Sequence, residues 1–311
     1  MRNLAQPKIA AAPVALAPLC EQRRIAAHVE ALLAQVSQAK ARLDRVQLLL
    51  RKFRQAVLKA ACSEGDEVEV ESLLESVRYG TAVKCSPEPN GTPVLRIPNV
   101  VGGAVDHDDM KYGPLAAKEK LALNLVPGDV LMIRSNGSVG LVGKTALVTE
   151  RETACSFAGY LMRLRPNPAR VVPAYLNLAL QTYDIRVQVE VPARSTSGVH
   201  NINAEEVKAL RVRLPSLNAQ RAAIGDVQSL FAVADSIERR VRAASARADK
   251  LPKAILSKAF SGELVPTEAE LARAEGRTYE TAEELLKRVA TLTGAPTVVT
   301  AKSGRRAGSS G

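Results

Sequence analysis

The run NGSVGLVGKT, residues 136–145, carries glycines and a lysine at a spacing that could hold a phosphate group. A phosphate loop needs a glycine five residues before its Gly–Lys pair, so that the backbone can wrap the phosphate, and Ser138 stands at that position. The residues after Lys144 have the pattern of a strand, so no helix N-terminus would face a bound phosphate. The sequence therefore does not predict nucleotide binding at this loop.

The acidic run Asp106–Asp109 includes a histidine and could suggest a metal site. It follows two glycines and precedes a turn, which favours a solvated loop over a ligand set. No arrangement of Ser, His and Asp, or of Cys and His, indicates nucleophilic catalysis. Scattered cysteines without a CxxC pair argue against a zinc site and a disulfide framework; they are Cys20, Cys62, Cys85 and Cys155. We therefore expect neither a metal nor a catalytic residue.

Two long segments carry apolar residues at alternating spacings of four and three, which is the pattern of a coiled-coil seam. About 45 helical residues give a rod of roughly 65–70 Å. The predicted seam residues are Ile25, Val29, Leu32, Val36, Leu43, Val46, Leu50, Phe53 and Val57 in the first segment, and Val227, Leu230, Ile237, Val241, Leu251 and Ile255 in the second. We expect the two helices to pair antiparallel within one chain; the alternative is pairing between chains. Pro252 predicts a break near Asp249–Pro252.

The two helical segments are copies of each other. Residues 14–63 align without a gap on residues 212–261, at an offset of 198, and 14 of the 50 aligned positions are identical. The identical positions include Gln22 with Gln220 and Val29 with Val227. A duplicated long helix with a globular insert between the copies indicates a scaffold that holds a recognition module.

Charge is distributed unevenly over this chain of 311 residues with a net charge of +11. Residues 1–65 carry +7 and residues 214–262 carry +4, whereas residues 66–213 are neutral. A basic balance is compatible with a polyanionic partner. Aromatic residues are 3% of the chain, with no tryptophan, which argues against single-strand binding by stacking. No run is long enough to span a membrane, and prolines interrupt the apolar N-terminal stretch, so we expect a cytoplasmic protein without an export signal.

The region between the helices alternates short strand-like runs with Gly, Pro and Asn, and then shows helical patterns at 172–185 and 203–210. We therefore predict an α+β protein, in which a globular domain of mixed strands and helices is inserted between two long helices that form an antiparallel coiled coil. Two capping boxes, Thr267 with Glu270 and Thr281 with Glu284, predict short helices after the second repeat.

These motifs resemble a known family. VRYG, GTPVLRIPNV, PGDVLMIRSNGSVGLVGK and STSGVHNINAEEVKALRVRLPSL look like the target recognition domain of type I restriction–modification specificity (S) subunits. PLCEQRRI with FRQAVLKAAC, and LPSLNAQRAAI with KAILSKAFSGEL, look like the two helical regions of that family. The resemblance covers about residues 14–290. The domains expected from it are a remnant strand and linker at 1–17, the first helix at 18–64, the recognition domain at 65–213, the second helix at 214–262, short helices at 263–292 and a disordered tail at 293–311.

The chain departs from the family in one respect. A full-length family member resembles recognition domain, helix, recognition domain, helix, whereas this sequence reads helix, recognition domain, helix. We therefore expect the first recognition domain to be on a separate chain, lost, or removed by truncation. The second repeat also has AQR where the first has EQR, at residues 219–221 and 21–23.

The resemblance implies a function in double-stranded DNA recognition. Each recognition domain of the family reads one half-site, the helices set the gap, and the helices also bind methyltransferase (M) subunits, through which the restriction (R) subunit joins. S-adenosylmethionine, ATP and Mg would belong to those partners, and a second S chain could complete the reader. The alternative is a remnant that binds M subunits through its coiled coil without binding DNA.

Candidate DNA-contacting residues are those in polar loops whose side chains can bond base edges or phosphates. Each could equally be an ordinary solvated turn residue. The candidates are Tyr79, Lys84, Arg134, Ser135, Asn136, Ser138, Lys144, Arg194, Ser195, Thr196, Ser197, His200 and Asn201. Arg96 and Asn99 are instead expected to close the end of a strand.

Overall fold

A computed structural model describes residues 15–190 and 200–294, and every structural statement below concerns those residues. The helices in chain order are α1 (Leu19–Ala61), α2 (Ile97–Val100), α3 (Ala117–Ala122), α4 (Pro173–Ala179), α5 (Tyr183–Glu190), α6 (Ala204–Lys208), α7 (Leu217–Ala248), α8 (Leu251–Phe260), α9 (Glu268–Glu275) and α10 (Ala282–Thr293). The strands are β1 (Asp66–Glu69), β2 (Leu74–Tyr79), β3 (Thr92–Leu95), β4 (Lys111–Gly113), β5 (Val130–Ile133), β6 (Ser135–Asn136), β7 (Thr145–Leu147), β8 (Ser156–Phe157), β9 (Leu161–Pro166), β10 (His200–Asn201) and β11 (Arg211–Leu214). Short 3-10 turns lie at Val70–Leu73 and Glu150–Glu152.

The two helical repeats differ in continuity. The first is the single helix α1 of 43 residues, whereas the second is divided into α7 and α8. The division falls at Asp249 and Lys250, just before Pro252, which cannot donate a backbone hydrogen bond to the carbonyl four residues earlier. The predicted break is therefore confirmed.

The repeats pair antiparallel within the chain, as expected. Lys40 Nζ lies 2.6 Å from Asp249 Oδ1. Arg54, further along α1, contacts Asp235, which comes earlier in α7, at 2.7 Å. Rising residue numbers on one helix therefore meet falling numbers on the other. Both pairs join a long basic side chain to a carboxylate across the helix pair.

The seam is buried unevenly along the helix pair. Of the predicted seam residues, Val36, Leu50, Val57, Val227 and Val241 are buried. Four others are exposed, because two helices alone can cover only the seam positions that face the partner helix directly; they are Phe53, Leu230, Ile237 and Leu251. The remainder are partly buried: Ile25, Val29, Leu32, Leu43, Val46 and Ile255.

The strands of the insert form two main sheets. A four-stranded antiparallel sheet has the order β2-β9-β5-β7. A three-stranded sheet has the order β4-β3-β8, in which β3 and β8 are parallel. The first and last strands of the insert, β1 and β11, pair with each other beside the helix ends. The insert therefore begins and ends at one place, as a domain inserted between two helices requires.

Two apolar cores hold the insert together. The larger core packs the sheet against α4 and α5, and it includes Tyr175 and Val189. Ala223 and Ile224 of α7 pack on this core, so the second repeat is part of the domain's packing. The smaller core includes Leu95, Phe157 and other apolar residues of both sheets. The insert is thus anchored to the second repeat through apolar contacts.

Two local predictions need correction. The helical pattern at 172–185 is divided into α4 and α5, because the chain turns at residues 180–182, where Thr182 Oγ1 donates to Ala179 O at 2.8 Å. The strand-like run PVLRIPNV is a strand only to Leu95, and its last residues form α2, where the Asn99 side chain accepts from the Arg96 amide at 2.9 Å. Arg96 and Asn99 therefore close the strand end, as expected.

The C-terminal helices α9 and α10 begin at the predicted capping boxes, in which Thr267 and Thr281 pair with Glu270 and Glu284. Most of the tail expected to be disordered, residues 295–311, lies outside the described residues, as does most of the predicted remnant strand. No described helix is both long enough and apolar enough to cross a membrane.

The chain divides into two compact units, one of residues 1–47 with 239–311 and one of residues 48–238. The boundaries between the two units fall within α1 and α7, so the units do not correspond to the helices on one side and the insert on the other. The second unit therefore contains the whole insert together with the helix segments on which it packs.

Candidate DNA-recognition surface

Sheet topology brings the ends of two distant segments together. β2 and β5 are both antiparallel to β9, so they run in the same direction and end at the same edge of the sheet. Tyr79 at the end of β2 and Met132 near the end of β5 both pair with Met162 of β9. Tyr79 and Arg134, 55 positions apart in sequence, therefore emerge side by side.

Arg134 is held on several sides. Its guanidinium carbon lies 4.6 Å from the centre of the Tyr79 ring, and its Nη1 donates to Gly159 O at 3.2 Å. Its backbone amide donates to Tyr160 O at 2.9 Å, and its carbonyl accepts from the Ile202 amide at 2.8 Å. The arginine is thus fixed in position before any ligand arrives.

The hydroxyl of Tyr79 accepts from the amide of Ala204 at 2.8 Å, which fixes the ring that carries Arg134. Tyr79 as a whole residue is 42% exposed. The pair therefore forms part of the surface although its backbone belongs to the sheet.

A short ladder lies next to this pair. In it β6 pairs with β10, so that Asn136 faces His200 and Ser135 faces Asn201. The Asn136 side chain accepts from the Ser138 amide at 2.8 Å, which forms a tight turn at an exposed loop. Asn136, Ser138, His200 and Asn201 therefore lie with Tyr79 and Arg134 at one edge of the domain.

Ser135 departs from the expectation of an exposed loop residue. Its residue surface is 7% exposed, because it occupies the inward position of β6, next to Asn136 on the outward position. It therefore supports the ladder rather than offering a hydroxyl to a ligand. The other predicted residues of this neighbourhood, Arg194, Ser195, Thr196 and Ser197, lie outside the described residues.

A groove of about 580 Å³ lies beside Gly159. Lys84 and Lys111 line it, and Tyr160, which is 62% exposed, stands at its edge. Arg96 also lines it, and its Nη2 donates to the Asp109 carboxylate at 2.7 Å, a bond that lowers the pKa of Asp109. Among described residues Lys84 and Lys111 form no ion pair, so they remain available to an anion.

Two of these groove residues, Lys111 and Tyr160, were not among the sequence candidates. Lys111 begins the short strand β4, and Tyr160 follows Gly159 immediately before β9. A tyrosine between a glycine and an apolar strand is a turn signal, and it could have marked Tyr160 as a surface aromatic. The sequence contains no comparable signal for Lys111.

Lys144 lines a different cavity from the groove that contains Lys84 and Lys111. Its carbonyl accepts from the Ile133 amide at 2.8 Å, but the residue lines a separate cavity of about 410 Å³ together with Arg54 and Arg186. The strand β7 follows it directly, as the rejection of a phosphate loop required. The backbone of Lys144 is therefore paired beside the start of the Arg134 segment, while the residue lines the separate cavity.

The acidic run Asp106–Asp109 lies in a loop that is held in place by its histidine. His107 Nε2 lies 2.6 Å from Oε1 of the buried Glu152. Burial tends to raise the pKa of Glu152, but hydrogen bonds from Thr149 and His107 outweigh it and lower that pKa. No cluster of three His, Cys, Asp or Glu residues within the described ranges could hold a metal ion.

Comparisons with known proteins place these observations in a family context. No protein-family profile matches the chain. The EcoKI type I restriction enzyme specificity subunit of Escherichia coli K12 is 33% identical over 267 residues, covering 81% of this chain and 57% of that protein. The StySPI specificity subunit of Salmonella potsdam is 30% identical over 260 residues, covering 79% and 56%. The chain thus spans about half the length of the curated relatives it matches.

A solved structure shares the fold. It comes from work on complex assembly and conformational transition of the type I R-M system, and its TM-score to this chain is 0.63 at 23% identity, covering 79% of this chain and 60% of that one. Both curated relatives are named specificity subunits, in agreement with the expectation of a non-catalytic chain. Over about four-fifths of its length, this chain is therefore homologous to the specificity subunits of type I restriction–modification systems.

Proposed function

We propose that this chain recognises one half-site of a double-stranded DNA target, as the specificity subunit or half-subunit of a type I restriction–modification system. The observation that carries the proposal is the edge where Arg134, fixed on Tyr79, meets Asn136, His200 and Asn201. Arg and Asn are the side chains that read purine edges in the major groove. Lys84 and Lys111, which line the nearby groove, suit phosphate oxygens, which position a protein on the duplex.

The helix pair supports a second part of the proposal, which concerns the proteins that this chain binds. The segments of α1 and α7 within the second unit expose the large apolar side chains Leu48, Leu49, Phe53, Leu230, Val233 and Ile237. Large exposed apolar side chains grouped on one pair of helices favour a protein-binding role for that pair. We propose that it binds methyltransferase subunits and, through them, the restriction subunit. S-adenosylmethionine, ATP and Mg would act in those subunits, and a second S chain or another recognition domain would read the other half-site.

Co-expression with the methyltransferase subunit of a matching system, followed by methylation-sensitive long-read sequencing of host DNA, tests the proposal. We expect adenine methylation within one sequence motif. A palindromic motif would indicate two copies of this chain, and an asymmetric bipartite motif would indicate a partner with the other recognition domain. Leu230→Glu with Val233→Glu should abolish methylation by preventing assembly, whereas Arg151→Ala, on an exposed turn of the insert, should not.

The exposed apolar helix face also favours a second candidate, a remnant that binds methyltransferase subunits without reading DNA. The two functions differ in one measurable respect. A complex that is stable on a sizing column, but that yields no methylated motif and binds no duplex, would support the remnant and reject DNA recognition.

A further inference from the structure

We propose that Arg134 reads a guanine of the half-site and that Tyr79 is the residue that positions it. This inference rests on the proposed function and gives that function a specific base contact. It assigns one side chain of the recognition surface to a base edge and separates it from the side chains that hold phosphates.

The first argument is the state of the guanidinium. Among described residues its bonds are to the Gly159 carbonyl and the Tyr79 ring, neither of which is charged. Its Nε is buried without a hydrogen-bond partner, while Nη2 is neither buried nor bonded within the described chain. A guanidinium has five N–H donors, so most of the donor capacity of Arg134 is unused.

The second argument is the contrast with neighbouring arginines. Arg96 is bonded to the Asp109 carboxylate, and Arg165 contacts the buried Asp129 carboxylate at 2.8 Å through both Nε and Nη2. Both of those guanidinium groups are paired with a carboxylate, and Arg165 is paired through two of its nitrogens. Arg134 is held by an aromatic ring and a backbone carbonyl without a carboxylate, so its charge and its Nη2 donors are left for an external acceptor.

The third argument distinguishes a base from a phosphate. A phosphate can be bound by a flexible point charge such as Lys84, whereas two adjacent acceptors in one plane, as in O6 and N7 of guanine, require an oriented planar fork. Stacking on Tyr79 and the bond to Gly159 supply that orientation in advance. Because little side-chain entropy remains to be lost, the contact can discriminate between bases.

The test uses the full chain in complex with its methyltransferase subunit and a library of randomised duplexes, from which bound sequences are selected and sequenced. The wild type should enrich a motif with at least one G·C pair. Arg134→Lys and Arg134→Ala should lose preference at one G·C position by about tenfold to a hundredfold, while the other positions keep theirs. Arg151→Ala is the matched control for loss of one exposed positive charge, and its motif should be unchanged.

Tyr79 variants test positioning. Tyr79→Phe keeps the ring and should keep the guanine preference, whereas Tyr79→Leu should weaken preference at the same G·C position that Arg134 variants affect. Melting temperatures of all variants are measured alongside. If the role of Tyr79 is purely structural, Tyr79→Leu should lower the melting temperature and weaken the base preference at every motif position together.

Two outcomes overturn the inference while leaving the proposed function intact. One is a motif that Arg134→Ala leaves unchanged at every position. The other is a uniform loss of affinity for all sequences with a salt slope reduced by about one, which is the signature of a phosphate contact and the result expected for Lys84→Ala. If the wild-type complex enriches no motif, DNA recognition itself is rejected and this inference with it.

Discussion

The two copies of the helical repeat begin with the same local structure. Gln22 donates from Nε2 to Ala17 O at 2.7 Å, and Gln220, its counterpart, donates to Pro215 O at 2.9 Å. In both copies the acceptor lies five residues earlier, and each bond satisfies a carbonyl just before the helix. The identical glutamines therefore fix how the chain enters each helix.

Beyond this shared bond the copies differ. Gln220 is 0% exposed, and its Oε1 also accepts from the Val172 amide of the insert at 2.8 Å, whereas Gln22 is partly exposed. Glu21, in place of Ala219, accepts from the Glu268 amide at 2.8 Å. The difference teaches that the shared glutamine sets the helix start in both copies, while a different segment packs beside each copy: the insert beside Gln220 and the start of α9 beside Glu21. It also gives EQR and AQR separate roles.

Replacing each of the two glutamines with alanine should give the largest difference in stability between the two copies. Gln220→Ala leaves the Val172 amide and the Pro215 carbonyl without partners, which should lower the free energy of unfolding by about 2–6 kcal/mol at 1–3 kcal/mol for each unsatisfied group. Gln22→Ala loses one bond at a partly exposed site and should cost about 0.5–1.5 kcal/mol. Urea unfolding followed by circular dichroism measures both. Equal costs would mean that the contact with the insert adds nothing to the stability of the second repeat.

Position 54 of the first repeat aligns with position 252 of the second. Arg54 contacts the other helix of the pair, whereas Pro252 follows the break in the second repeat. Arg54 bonds Asp235 and Glu238, at 2.7 and 2.8 Å, and lies 5.2 Å from the Phe231 ring centre. Arg54→Ala should lower the unfolding free energy by about 1–2 kcal/mol, as the sum of partly exposed ion pairs and one cation–π contact. The measurement is the same urea titration, with Arg51→Ala, at an exposed position of the same helix, as control. An effect no larger than the control's would show that the contacts are too solvated to stabilise the helix pair.

Regular features of this molecule could be predicted from the sequence, and irregular ones could not. Heptads, capping boxes and Pro252 act through neighbours within about one helical turn, so the sequence indicates them directly. Arg134 could be named as a candidate from its residue type and its loop. Its stacking on Tyr79 depends on both strands pairing with β9, and the inward position of Ser135 depends on the register of β6 with β10. Such pairings are decided by the packing of distant segments.

The contact between the first repeat and α9 should depend on pH. The Glu268 side chain is 2% exposed between Arg24 and Arg277, and the hydrogen bond from Arg24 is the main cause that lowers the pKa of Glu268 from 4.5. A lowered pKa means that the stabilisation is complete above pH 4.5 and is lost as pH falls through the folded-state value. Hydrogen-exchange protection factors, corrected for intrinsic rates, should therefore fall in α9 under acid.

Other carboxylates titrate in the same range, so the control is Glu268→Gln. This variant should have lower protection in α9 at neutral pH and a smaller further loss in acid, while the insert is unaffected at neutral pH. A wild-type acid response that the variant reproduces in full would mean that Glu268 is not the group responsible.

Pro252→Ala carries the smallest expected effect and isolates the cause of the helix break. Restoring the missing amide allows a hydrogen bond to the Ala248 carbonyl, so α7 and α8 should fuse and the ellipticity at 222 nm should rise by the equivalent of about two residues, those of the present break. Stability should change little, because proline is well tolerated in the first turn of α8, where it now lies. Asp249 at the break also pairs with Lys40, which offers a second reason for the chain to turn there. If ellipticity is unchanged in Pro252→Ala but rises in Pro252→Ala with Lys40→Ala, that ion pair rather than the proline holds the break, and the two repeats differ because of a contact between them.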